Sequence, residues 1–203
     1  MQKIGKILKK NIRWIILLIG LIIFFEILED VYANEIHEFD SQFYTAVSYF
    51  ISDGFTNIVK IITNIASVPV IIVVTLISII WIKDKKINIA IVSNLVIITA
   101  LNQLLKRIIA RPRPIEHRLI DETGYSFPSG HSMVSAAFYG FLIYLIYKNV
   151  KNKYLKWGLI AILSLLIFLI GTSRIYLGVH YTSDVLAGFL VAISYLIIFI
   201  TAI

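Results

Sequence analysis

The chain has 203 residues and no cysteine, which excludes disulfides and thiolate metal sites. Hydrophobic residues make up 59% of it and the mean hydropathy is +0.86, outside the usual mix of a soluble domain of this length and suited to a bilayer as solvent. The net charge of +7 would fit nucleic acid, but the basic residues stand in small groups between apolar runs rather than on one polar face, so they read as membrane-orienting charges.

There is room for one domain over residues 1–203, with about six spanning helices of roughly 20 residues each and short connections. The predicted fold class is therefore an all-α integral membrane bundle. Its first span runs from about Ile12 to Leu28, after Lys3, Lys6, Lys9 and Lys10, and requires Glu26 to reach the interface. A cleaved signal peptide ending near Val31-Tyr32-Ala33 competes with that reading; the acidic residues crowding the cleavage region favour an uncleaved helix. Next, Phe39, Phe43, Val47, Phe50 and Ile51 recur at helical spacing with Asp40, Ser41 and Ser48 between them. This predicts a helix within about 36–52 lying in the interface, either packing or guiding lipid. Uncharged stretches at Ile61–Ile82, Ile87–Leu105, Ser132–Tyr147, Trp157–Ser173 and Val185–Ile203 predict the remaining five spans.

Short loops rich in lysine and arginine stay on the cytoplasmic side. Arg13 with the amino-terminal lysines, then Lys83, Lys85 and Lys86, then Lys148, Lys151, Lys153 and Lys156 all fall on one side of a six-span chain. Both termini are predicted there. The opposite, outer side takes the acidic segment Glu26–Asp53 and the connections 106–130 and 174–184.

Three polar blocks on that outer side are not explained by topology, and ionisable residues this close to spanning helices are functional suspects. Lys106 ends the third span, and Pro112 is predicted to stop its helix at about Arg111. Arg113 then lies on a stiff Arg-Pro-Arg-Pro segment, where a planar guanidinium can fork onto phosphate oxygens. In the second block, Ser129 and Gly130 precede an apolar run and read as a helix amino terminus, whose free N–H groups and dipole suit an anion. Gly130 would let the backbone approach phosphate, and His131 in the first turn is placed to exchange a proton near neutral pH. In the third, His180 and Asp184 are four apart. On a helix they would share a face, the carboxylate holding one ring nitrogen and leaving the other free to attack. Arg174 lies six before His180, so the chain must bend between them, near Gly178, for both to face one site.

Together the blocks read Lys106-x6-Arg113-Pro114, Pro128-Ser129-Gly130-His131 and Ser173-Arg174-x5-His180-x3-Asp184. This closely resembles the three-part signature of the type 2 phosphatidic acid phosphatase superfamily, shared with vanadium haloperoxidases and bacterial acid phosphatases; every fixed position is present. Length and membrane character resemble the bacterial lipid phosphatases of that superfamily. The resemblance implies a phosphatase acting on phosphatidylglycerophosphate, phosphatidic acid or undecaprenyl pyrophosphate at the outer face of a bacterial cytoplasmic membrane. It implies that His180 forms a phosphohistidine, that Asp184 orients it, and that His131 protonates the leaving group and later activates water. Lys106, Arg113, Ser129, Gly130 and Arg174 would hold the phosphoryl oxygens, with no metal and no cofactor. Arg107, Arg111, Glu116, His117 and Arg118 lie outside the signature and read as loop or headgroup contacts. An anion or lipid transporter and a catalytically silent scaffold are the competing classes. The absence of charge at mid-span argues against the first, and the intact signature against the second.

Overall fold

The structure, a computed structural model, describes residues 2–203 and the side chains of residues 11–203. The lysines counted at positions 3, 6, 9 and 10 lie outside the described side chains. The described residues form eight helices: α1 (Gln2–Ala33), α2 (His37–Ser48), α3 (Asp53–Asn64), α4 (Val68–Trp81), α5 (Lys85–Ile109), α6 (Gly130–Asn149), α7 (Lys153–Tyr176) and α8 (Thr182–Ala202). Four of them, α5 to α8, are long and apolar enough to cross a membrane, and five spans result if α3 and α4 count as one bent span. The all-helical expectation holds, while four or five of the six expected spans are found among the described residues.

Helix α6 is the hub, packed against α5, α7 and α8, with α1 laid on α8. Small residues allow the close approach: Ser132, Ser135, Ala136 and Ala137 of α6 are buried, and a Cβ at Gly188 of α8 would come within 3.0 Å of the Ser129 carbonyl oxygen. Polar side chains join the same helices. Asn94 of α5 donates to the Ala137 carbonyl at 3.0 Å, and Asn102 donates to the Pro128 carbonyl at 3.2 Å. Apolar residues such as Ile80, Ile162, Leu165 and Phe168 face outward, as they do in helices surrounded by hydrocarbon.

The stretch Ile61–Ile82 is not one straight helix. It breaks after Asn64, and α3 and α4 meet at a 50° bend. Pro69, in the first turn of α4, has no N–H to donate, and in a continuous helix its ring would clash with the carbonyl four residues back, that of Ile65. The Ile65 carbonyl so released accepts a hydrogen bond from the Tyr139 hydroxyl of α6 at 2.9 Å. A helix does lie within 36–52, but it ends at Ser48, leaving Phe50 and Ile51 beyond it. The third predicted span stops at Ile109 rather than Arg111, with Ala110 in the left-handed region (φ 51°).

Candidate active site

One polar cluster forms where the ends of α5 and α7 meet the starts of α6 and α8. Ser129 caps α6, its Oγ accepting from the Ser132 N–H at 3.4 Å and from the Ser132 hydroxyl at 2.9 Å. The Ser129 N–H in turn donates to the Asp184 carbonyl at 3.0 Å, which ties the start of α6 to the start of α8. Between α7 and α8 the chain turns at Gly178, where φ is +66° and a Cβ would overlap the His117 carbonyl at 2.2 Å. The predicted bend between Arg174 and His180 is therefore present, and only glycine fits it.

His180 lies in that turn, before α8 begins, so it and Asp184 do not share a helical face as the spacing had implied. They meet because Asp184 occupies the first turn of α8 and reaches back. Its Oδ2 accepts from the Tyr181 N–H at 2.9 Å and stands 3.2 Å from His180 Nδ1. The Ser126 hydroxyl donates to the same oxygen and lies 3.3 Å from Nδ1. On the other side of the ring, Arg113 Nη1 donates to His180 Nε2 at 2.9 Å. An arginine only donates, so Nε2 carries the lone pair and Nδ1 carries the proton that faces Asp184. His180 is 3% exposed; this burial pushes its pKa down to about 4, against the pull of Asp184, with Arg113 and Lys106 adding to the depression. The ring is neutral at ordinary pH, with its lone pair inside the cation cluster.

The cations converge as the sequence predicted, but each is already engaged. Lys106 Nζ donates to the carbonyls of Tyr125 (2.5 Å) and Ser126 (3.0 Å). Besides His180, Arg113 holds the carbonyls of Gly124 (3.0 Å), Thr123 (3.1 Å) and Val179 (2.9 Å). Arg174, 1% exposed, donates through Nη1 to Thr63 at 2.8 Å and through Nη2 to Glu122, while its Nε is buried without a partner among the described residues. Burial raises the Glu122 pKa, but Arg174 and Arg113 outweigh it and hold the carboxyl below its ordinary value. Glu122 is thus an ionised carboxylate seated on the cations. Gly130 packs against Asn102, whose Oδ1 would meet a Cβ at 3.1 Å. His131 is half-buried and lines an open groove of about 670 Å³ at the α3–α4 bend, together with Arg174, Glu122, Thr63 and Lys60. His180 instead borders a cavity of about 680 Å³ under α2, with Asp40, Tyr44, His117 and Tyr181.

All eight residues singled out from the sequence lie in or beside this cluster. Arg111 was read as a loop or headgroup contact; it is buried, 9% exposed, and paired with Asp184 and Asp40. Asp40, Glu122, Ser126 and Ser183 also went unrecognised as parts of the cluster. They match no motif and become neighbours only through the fold. Among the described residues, no group of three or more histidines, cysteines or carboxylates is arranged to hold a metal ion.

A family model described as the PAP2 superfamily matches residues 87–203, which contain all three blocks. Phosphatidylglycerophosphatase B of Bacillus subtilis (strain 168) is 43% identical over 96 residues, 44% of this chain and 44% of that protein. Undecaprenyl-diphosphatase of Sulfolobus acidocaldarius is 30% identical over 123 residues, 58% of this chain and 55% of that one. These matched stretches span about half of the relatives' own lengths. The crystal structure of the first transmembrane PAP2 type phosphatidylglycerolphosphate phosphatase from Bacillus subtilis superposes with a TM-score of 0.82 at 25% identity, covering 92% of this chain and 94% of that one. Aquifex aeolicus LpxE, at 23% identity, TM-score 0.68 and coverage of 80% and 95%, shares the fold.

Proposed function

This chain belongs to the PAP2 superfamily, and from that premise we propose that it is a membrane lipid phosphatase working through a phosphohistidine on His180. The observation that carries the reading is the placement of the His180 ring: Nδ1 stands 3.2 Å from Asp184 Oδ2 and Nε2 lies 2.9 Å from Arg113 Nη1, which assigns the proton to Nδ1 and the lone pair to Nε2. Phosphoryl transfer needs a placed nucleophile and fixed positive charge around the equatorial oxygens, and this cluster offers both.

In the proposed sequence, the phosphoryl group takes the place of the Glu122 carboxylate. Its oxygens accept from Arg174, including the unpartnered Nε, from Arg113 after it releases Nε2, from Lys106, and from Ser129 and the Gly130 N–H at the start of α6. Nε2 attacks phosphorus as the bond to the leaving oxygen breaks. His131, on the groove side, gives that oxygen a proton and then takes one from the water that hydrolyses the phosphohistidine. The charge is supplied by side chains and a helix end, so the reaction is proposed to be metal-independent and to need no cofactor.

The substrate is a phosphomonoester or pyrophosphate of a lipid: phosphatidylglycerophosphate, phosphatidic acid or undecaprenyl pyrophosphate. The lysine and arginine distribution supports an outward-facing site with both termini cytoplasmic, α1 as a further span and α2 at the interface. Phosphate release from these three lipids in detergent micelles, with and without EDTA, tests the activity. Release from one or more of them that survives EDTA supports the proposal. Release that EDTA abolishes and magnesium restores sinks its mechanism.

A further inference from the structure

Behind the nucleophile lies a second set of buried charges that the phosphatase signature does not contain. Arg111 Nη1 donates to Asp184 Oδ1 at 2.8 Å and to Ser183 Oγ at 2.8 Å, and its Nη2 donates to Asp40 Oδ2 at 2.9 Å. The guanidinium stacks on the Tyr181 ring, 4.0 Å from its centroid. Asp40 comes from α2 and is 5% exposed; its Oδ1 accepts from the Ser183 N–H at 2.8 Å and its Oδ2 from the Ser183 hydroxyl at 2.9 Å. The loop closes on itself, with both Nη atoms of Arg111 and both carboxylate oxygens of Asp40 and of Asp184 hydrogen-bonded.

The arrangement divides Asp184 between two tasks. Oδ2 serves the ring of His180, while Oδ1 is held by Arg111. An arginine paired with Asp184 alone would neutralise the carboxylate and weaken its hold on Nδ1–H. Shared with Asp40, the same arginine leaves the three groups with one net negative charge facing the ring. That charge matters in the transfer step. As the Nε2–phosphorus bond forms, the phosphorus–oxygen bond breaks with its electron pair on the leaving oxygen, which takes a proton from His131. The ring, still carrying its Nδ1 proton, becomes an imidazolium. A net negative charge behind it stabilises this state more than the neutral one.

We infer that Asp40 and Arg111 are positioning residues for phosphoryl transfer: Arg111 fixes Asp184 by the oxygen His180 does not use, and Asp40 keeps Asp184 charged towards the ring. This makes α2 part of the catalytic apparatus rather than only a packing or lipid-facing helix. The inference rests on the reading of His180 as nucleophile.

The test is a rapid-quench measurement on the full chain with radiolabelled phosphatidic acid, using Asp40→Asn and Arg111→Lys. Phosphoenzyme trapped in alkali counts competent sites, and its rate of appearance reports the transfer step. The rate per competent site is expected to fall about tenfold in each variant, with the inhibition constant of inorganic phosphate within about twofold of wild type. If the ion pair only ties α2 to α8, the number of competent sites falls while the rate per site stays at the wild-type value. That result overturns the inference, as does phosphate binding that weakens in proportion to the rate. Should Asp40→Asn not accumulate, Arg111→Lys decides by the same two measurements. His180→Ala run in parallel separates the two levels: phosphoenzyme formed without His180 removes the proposed function itself, whatever the other variants do.

Discussion

The two histidines of the site occupy opposite kinds of surroundings. His180 is 3% exposed, held at one nitrogen by Asp184 and Ser126 and at the other by Arg113, with Arg111 and Asp40 behind. His131 stands half-buried at the edge of an open groove beside the α3–α4 bend. The contrast fits the roles proposed for them. A nucleophile meets the same kind of phosphoryl group in every turnover and gains from rigid preorganisation, whereas a leaving-group acid must serve a lipid that enters and departs. On the proposed reading, rigidity in this site is concentrated where the substrate does not vary.

The largest expected effect strikes the closed half. His180→Ala removes the proposed nucleophile, so neither phosphoenzyme nor turnover is expected to remain, a loss of about 10⁴-fold or more by comparison with other deleted nucleophiles. Asp184→Asn weakens ring orientation without deleting the nucleophile and is expected to cost less. Turnover in His180→Ala near that of wild type would end the comparison between the halves.

On the open half, His131→Ala is expected to depend on the leaving group. A lipid alkoxide needs the proton and should lose about 10² to 10⁴ in kcat. The p-nitrophenolate ion leaves without help, so p-nitrophenyl phosphate should lose far less. Equal losses on both substrates would mean that His131 binds phosphate rather than donating a proton.

The pH profile sharpens the same contrast. Burial lowers His180 to about 4, so the ring holds its lone pair throughout the neutral range and loses it only as pH falls through that value. Activity in kcat/KM lost on acidification through this group should therefore fall away near pH 4, with none lost at the ordinary histidine value. A titration that Asp184→Asn shifts upward would contradict the assignment, because Asp184 is the group that raises the ring's affinity for protons.

In both halves the signature residues were legible in the sequence, and the residues that hold them in place were not. Lys106, Arg113, Ser129, His131, Arg174, His180 and Asp184 are set at spacings that belong to known chemistry, and the four spans from α5 to α8 follow from length and apolarity. The break at Pro69 was missed because hydropathy counts composition, whereas the break arises from a clash between a ring and a carbonyl four residues earlier. Asp40 and Arg111 are separated by 71 residues, and Glu122 and Arg174 by 52. Nothing in a single sequence marks such partners, because each is an ordinary charged residue until the bundle closes.

Glu122 supplies the smallest and most discriminating effect. Its carboxylate is bonded to Arg174 and lies 3.8 Å from Arg113 Nη2, where a phosphoryl group would need the same cations. On the proposed reading, substrate binding is an exchange of one anion for another, and part of the attraction of the cluster is already spent. Glu122→Gln keeps the shape and removes the competing charge, so inorganic phosphate should inhibit more strongly, by about threefold given that the carboxylate is partly exposed to solvent screening. The same variant should not lower the yield of phosphoenzyme, because Glu122 touches neither His180 nor Asp184. An inhibition constant that stays at the wild-type value or rises would show that Glu122 supports the arginines in their binding geometry. The open half of the site would then be as preorganised as the closed one, and the contrast between the two histidines would lie in access alone.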